Sequence, residues 1–334
     1  MVLVVILVAF LLIGGLAVIL QGGEDEVDYP LPVTDSAGRE VVIESVPEKI
    51  VSAAPATTEL LYSLGVGDRV VGVTDYCDYP TRMVENKTAG NITSIGGYEE
   101  PSMETIIDLD PDLVVLSGDV DFHQDIADTL DDMNIKSLIS YRGDNITQIY
   151  QNLRMIGEVC DHVEVADDLI SDMQDRISSV TERISGTGEV SVMHTIWMDP
   201  VYTPGNDTFA ARIIGMAGGE ILFDDLSGWP TVSKEEVVDR QPEVMTVTAT
   251  HFHMSPEEVI DFLKEDPMWS QLPAVKNDRV YILVDQAENI FNRQTVRIVD
   301  AIELTAEILH PDAFEVTPPN IIGNDYQEYL ESQV

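Results

Sequence analysis

The apolar positions of this 334-residue chain follow one pattern at its start and two others along its body. Met1 to Leu20 (MVLVVILVAFLLIGGLAVIL) holds no charged side chain, and twenty helical residues at ~1.5 Å each span roughly 30 Å, the thickness of a bilayer core. The run passes into Gln21-Gly22-Gly23 and the acidic Glu24-Asp25-Glu26 with no small-x-small cleavage site and no cysteine for a lipid. An N-terminal transmembrane helix is therefore expected, with a cleaved signal as the alternative; either puts the body outside the cytoplasm.

Beyond a polar spacer, Val33 to Val46 alternates as a hairpin around Ser36-Ala37-Gly38. Short apolar runs at Lys49–Ala53, Arg69–Val73, Leu113–Leu116 and Lys136–Ser140 read as buried parallel strands. Helical spacing separates them, from Thr57 to Gly65, from Met103, around Ile126 to Met133 and around Ile146 to Val159. Val163 to Ile184 differs: it has no Gly or Pro and repeats apolar residues at Ala166, Leu169, Ile170, Met173, Ile177, Val180 and Ile184. That period predicts one helix of roughly 33 Å. A second alternating unit follows, with strands at Val190–Ile196, Val244–Val247 and Val280–Leu283 and helices at Thr208–Ala217, Lys234–Arg240, Pro256–Leu263 and Val296–Leu309.

The chain thus divides into an anchor or signal (1–22), a spacer (23–35), a first lobe with its hairpin (36–160), an interlobe helix (161–186), a second lobe (187–312) and a tail (313–334) expected to pack loosely. The fold class is α/β, two Rossmann-like lobes joined by one long helix.

Composition narrows the partners. Sixty acidic and 18 basic side chains give a formal charge of −42, which repels phosphate backbones and excludes nucleic acid as a partner. Four sequons, at Asn86, Asn91, Asn145 and Asn206, are candidate glycosylation sites on an exported chain. Cys77 and Cys160 have no metal-site spacing and read as core thiols, a disulfide being the alternative. No G-x-S-x-G, Walker or H-E-x-x-H motif appears, and Gly65-Val-Gly67 follows a helix rather than a strand, so neither an enzyme nor a cofactor is expected.

Three stretches carry a resemblance: KIVSAAPATTELLYSLGVGDRVVGVTDYCDYP ending at Pro80, SIGGYEEPSMETIIDLDPDLVV over 94–115, and GWPTVSKEEVVDRQPEVMTV over 228–247. In this order they resemble the substrate-binding proteins of ABC importers for cobalamin, haem and iron–siderophore complexes. The Tyr-x-Asp-Tyr-Pro and Trp-Pro-x-Val-Ser segments are most similar to the cobalamin-binding branch. The resemblance implies a rigid interlobe helix, a ligand cleft between lobes, and a metal-chelate ligand passed to a permease dimer with its ATPase subunits. It also implies one permease-docking glutamate per lobe, Glu104 in Ser-Met-Glu and Glu235 in Ser-Lys-Glu. Both equally suit helix starts, where a carboxylate meets the positive end of the dipole.

Tyr76 and Trp229 match aromatic cleft positions of that branch, and Tyr98 stands where it carries a tryptophan; core packing is the plainer reading. Trp197 and Tyr202 follow a strand of the second lobe, His123 follows Val114–Leu116, and His251 and His253 follow Val244–Val247. Loops at the carboxyl ends of parallel strands are where ligands sit in open α/β sheets. His251-x-His253 has the chemistry to ligate a metal, and Arg142 and Arg293 to hold a ligand anion or form surface ion pairs. Two alternatives stand beside the importer reading: a free zinc or manganese binder using His123, His194, His251 and His253, and a cell-envelope protein of this fold without a transport role.

Overall fold

The computed structural model describes residues 27–248 and 253–330. The expected transmembrane helix, and His251, lie outside the described residues; among those described, no helix is long and apolar enough to cross a membrane. The chain opens on an antiparallel hairpin, β1 (Leu31–Thr34) and β2 (Glu40–Ile43). Its turn is fastened to the first lobe: Ser36 N–H donates to the Ile139 carbonyl at 3.1 Å and Ile139 N–H donates to Asp35 Oδ2 at 3.1 Å.

The first lobe runs β3 (Ile50–Ser52), α1 (Pro55–Ser63), β4 (Val70–Val73), α2 (Thr81–Thr88), β5 (Thr93–Ser94), α3 (Met103–Asp108), β6 (Leu113–Ser117), α4 (His123–Asp132), β7 (Ser137–Ser140) and α5 (Ile146–Val159). Its parallel sheet has the order β5-β4-β3-β6-β7. Every residue of β6 and β7 is buried, as strands covered on both faces require.

The periodic stretch is a single helix, α6 (Val163–Arg183), burying Ala166, Ile170, Met173 and Val180 on one stripe. The second lobe follows with β8 (Val190–Thr195), β9 (Trp197–Met198), β10 (Val201–Tyr202), α7 (Phe209–Met216), β11 (Gly219–Ile221), β12 (Thr231–Val232), α8 (Lys234–Arg240), β13 (Val244–Thr248), α9 (Pro256–Glu265), α10 (Pro273–Lys276), β14 (Val280–Leu283), α11 (Asp285–Asn292), α12 (Ile298–Leu309), α13 (Pro311–Phe314) and β15 (Ile321–Ile322). The parallel sheet is β11-β8-β13-β14-β15, and β12-β10-β9 form a small antiparallel flap beside it.

The tail is a correction to the loose packing expected of it. β15 extends the second sheet, Leu330 is buried, and the buried Tyr326 hydroxyl donates to Asp300 at 2.9 Å. Two isoleucines suffice because β14 offers an unpaired edge. The two cysteines are free and buried, as core thiols.

α6 is tied to the second lobe as well as to α5. Arg176 Nε donates to Glu303 Oε1 at 2.9 Å and Nη2 to Asp300 Oδ1 at 2.7 Å, both on α12. A forked guanidinium between two carboxylates fixes register along a helix pair. α12 is buried along its whole length, including its acidic residues. Burial first, then the neighbouring Glu303 charge, pushes the Glu307 carboxyl up to about 8, against a smaller opposing effect of Arg183. The folded state therefore binds a proton that the unfolded chain releases near pH 4.5, so stability falls as pH rises from about 4.5 to about 8. Glu307→Gln is expected to flatten that slope in thermal unfolding across the same window; an unchanged slope would show that Glu307 does not cause it.

Candidate functional site

The two lobes meet at a buried carboxylate. Glu59, in the first turns of α1, is 2% exposed and faces the segment after α11. Arg297 grips it in fork geometry, Nε to Oε2 at 2.8 Å and Nη2 to Oε1 at 2.5 Å, while Thr295 Oγ1 donates to Oε2 at 3.0 Å and Arg293 Nη1 to Oε1 at 2.9 Å. Arg293 Nη1 also reaches Asp78 Oδ1 at 2.5 Å, and Asn289 Nδ2 reaches Asp78 Oδ2 at 3.1 Å. The Arg297 guanidinium lies over the Tyr79 ring at 3.8 Å. Burial alone would raise the Asp78 carboxyl, but the hydrogen bond and charge of Arg293, with Gln286 and Asn289, hold it below its ordinary value. Of the two readings of Arg293, anion holder or ion pair, the structure shows the ion pairs, to Glu59 and Asp78.

This tie positions the aromatic candidates. The Tyr76 carbonyl lies 3.5 Å from Arg293 Nη2, and the loop carrying it is held from beneath by Lys87, whose Nζ donates to the Thr74 and Asp75 carbonyls at 2.9 Å. Tyr76 is 59% exposed and meets Tyr98 edge-on at 5.4 Å. From the other lobe, Phe291 of α11 stacks on His194 at 5.9 Å, and His194 meets Trp229 edge-on at 6.4 Å. The flap continues this face: Trp197 on β9 pairs across to Tyr202 on β10, and Tyr202 to Thr231 on β12. Trp197 Nε1 donates to the Asp199 carbonyl at 2.7 Å. Gly228, at φ +67, supplies the left-handed turn that sets Trp229 outward, 41% exposed.

Strand order reverses at two of the histidines. In the second sheet the reversal lies between β8 and β13, where His194 Nδ1 and Thr246 Oγ1 are 2.9 Å apart. In the first it lies between β3 and β6. There His123 is a correction: it opens α4 fully buried rather than lining a loop. Ser117 N–H donates to its Nδ1 at 2.8 Å, so the ring proton is on Nε2, 2.7 Å from the Tyr98 carbonyl. Both nitrogens are engaged in holding the Tyr98 loop, and none is free for a metal. Burial lowers the affinity of both histidines for protons, His194 to about 4.

Other candidates lie apart. Arg142 lines a separate recess with Ser36, Gly118 and Gln124, 3.6 Å from Asp144 and 4.0 Å from Asp121, the surface-pair arrangement. His253 is exposed. Among the described residues no group of three or more His, Cys, Asp or Glu side chains is placed to hold a metal ion. Glu104 and Glu235 are exposed in the first turns of α3 and α8, whose N-caps are closed by Ser102 and by a Ser233–Glu236 capping box. Asn91 and Asn206 are exposed; Asn145 caps α5 and Asn86 lies on α2.

The family description "Periplasmic binding protein" matches residues 50–287, from β3 to α11. The chain belongs to that family. It is 30% identical over 292 residues to an uncharacterized ABC transporter substrate-binding lipoprotein, YvrC, of Bacillus subtilis, covering 86% of this chain and 88% of that one. It is 26% identical over 260 residues to a vitamin B12-binding protein of Vibrio parahaemolyticus, covering 76% and 86%. In fold it is similar to the vitamin B12-binding protein BtuF of Vibrio cholerae, with a TM-score of 0.63 at 24% identity, over 80% of this chain and 98% of that one.

The buried cluster gives a direct test. Glu59→Ala strands two interior guanidiniums and is expected to cost about 3–5 kcal/mol in denaturant unfolding, whereas Arg142→Ala should cost under about 1 kcal/mol. Equal small losses would contradict the assignment of Glu59 as the interlobe tie.

Proposed function

We propose that this chain is the extracytoplasmic solute-binding subunit of an ABC importer and takes a metal chelate with a large flat face, a corrinoid, haem or iron–siderophore complex, between its lobes. One observation supports this above the others. Of the aromatic side chains most exposed among the described residues, Tyr76 sits at the Arg293 tie, Tyr202 pairs with β12 and Trp229 precedes that strand, while Phe122 lies apart at the start of α4. A soluble protein leaves large apolar groups together in solvent where a partner or ligand covers them. The names of the Bacillus and Vibrio relatives agree with this reading.

Release to the importer follows from the other exposed feature. Glu104 and Glu235 sit on separate lobes, on helices whose caps are already satisfied, so their carboxylates are free for arginines of the permease. The acidic surface, at a formal charge of −42, keeps the protein soluble.

A thermal-shift screen of the full chain against cyanocobalamin, cobinamide, haem and ferric siderophores is expected to find a stabilising ligand, by about 2.7 kcal/mol at 100 times its dissociation constant. Tyr76→Ala and Trp229→Ala should each weaken that ligand about tenfold or more. No stabilisation by any of them would refute the chelate reading. Glu104→Ala with Glu235→Ala should spare ligand affinity and weaken permease association by about 2–5 kcal/mol; lost ligand binding with intact docking would reverse the two roles.

A further inference from the structure

We infer that the interlobe site selects by charge, accepting chelates of zero or positive net charge and rejecting those that present carboxylates or oxyanions. The inference rests on the reading of the interlobe face as the ligand site. An anion is held best by a cation whose charge is not already balanced. Among the described residues, each cation at the seam already faces a carboxylate or a backbone carbonyl. Arg293 Nη1 is shared between Glu59 and Asp78. Arg297 spends Nε and Nη2 on Glu59 and Nη1 on Gln286 at 2.9 Å. Lys87 is enclosed by backbone carbonyls, and the more distant Arg142 has Asp121 and Asp144.

Among the described residues, the exposed charges beside them are of the other sign. Asp75 is exposed beside Tyr76 and takes a hydrogen bond from Ser94. Asp78 remains about half exposed at its tie to Arg293. The Tyr98 phenol holds its proton more tightly than usual, first through burial and then through the charges of Glu99 and Asp119. His194, the ring behind Trp229, is neutral at physiological pH and adds no positive charge. An incoming anion that displaces Asp78 from Arg293 shares one guanidinium with Glu59 while Asp78 stands unpaired alongside. The long-range field of a chain at −42 acts in the same direction and is screened by salt.

The test uses matched probes on the full chain, read by isothermal titration: cyanocobalamin against its monocarboxylate, in which one peripheral amide is hydrolysed, and a neutral ferric trishydroxamate against a trianionic ferric triscatecholate, with haem as a dianionic macrocycle. The neutral member of the pair that binds should be favoured at least tenfold, about 1.4 kcal/mol. The gap should shrink in Asp78→Asn, which frees Arg293 while keeping the side chain's size. Equal or tighter binding of the anionic member, or of haem over both neutral probes, would overturn charge selection and leave the chelate reading intact. A gap unchanged in Asp78→Asn would overturn its assignment to this cluster. Binding of none of the probes would overturn the chelate reading and this inference together.

Discussion

The structure depends on one buried carboxylate. Glu59 lies at the start of the first helix, and its partners Arg293 and Arg297 lie 234 and 238 residues away on the other lobe. A charge at 2% exposure persists only if its oxygens are fully paired, and here two guanidiniums and a threonine hydroxyl do so. The same contacts fix the geometry around them. Arg293 carries the tie to Asp78 and the Tyr76 carbonyl, while Arg297 stacks on Tyr79, so the 76–79 loop takes its place from the second lobe. α6, clamped by Arg176 to α12 and packed on α5, spans the pair from outside. Two attachments, one central and one along the spine, leave the lobes little relative freedom.

The placement of the exposed aromatic rings follows from those contacts. Tyr76 and Tyr98 are held by Lys87 and His123 through backbone carbonyls, and Trp229 by His194 and the turn at Gly228. The aromatic rings are positioned before any ligand arrives, which lowers the ordering cost of binding. Strand order reverses at β8 and β13 in the second sheet and at β3 and β6 in the first, and ligands of open α/β sheets sit at such points.

Much of the scaffold is legible in the residue pattern because it rests on local periodicity. The runs at Leu113–Leu116 and Val280–Leu283, and the repeat over Val163 to Ile184, announce strands and a helix that the structure contains within a residue or two. What the pattern cannot carry is pairing at a distance. Two-residue strands such as β9, β10 and β12 give no alternation to read, and they build the flap under Trp197 and Tyr202. α11 is rich in Asp, Asn and Glu, and its three buried apolar residues, Ala287, Ile290 and Phe291, form too short a stripe to stand out. The roles of Glu59, Arg293 and His123 follow from partners that only the fold brings near. Residue type alone suggests a helix start, an anion holder and a metal ligand for these three. Glu104, Glu235, Tyr76 and Trp229 are singled out through the family resemblance alone, because the surrounding motifs mark their positions.

The central claim is that one ligand is held by both lobes at the aromatic seam. Hydrogen–deuterium exchange of the full chain, with and without the chelate that stabilises it most, tests this most directly. The account predicts protection that appears together at 75–79 and 97–99 in the first lobe and at 197–203 and 227–232 in the second. Protection confined to one lobe, or centred on the Arg142 recess, would contradict it.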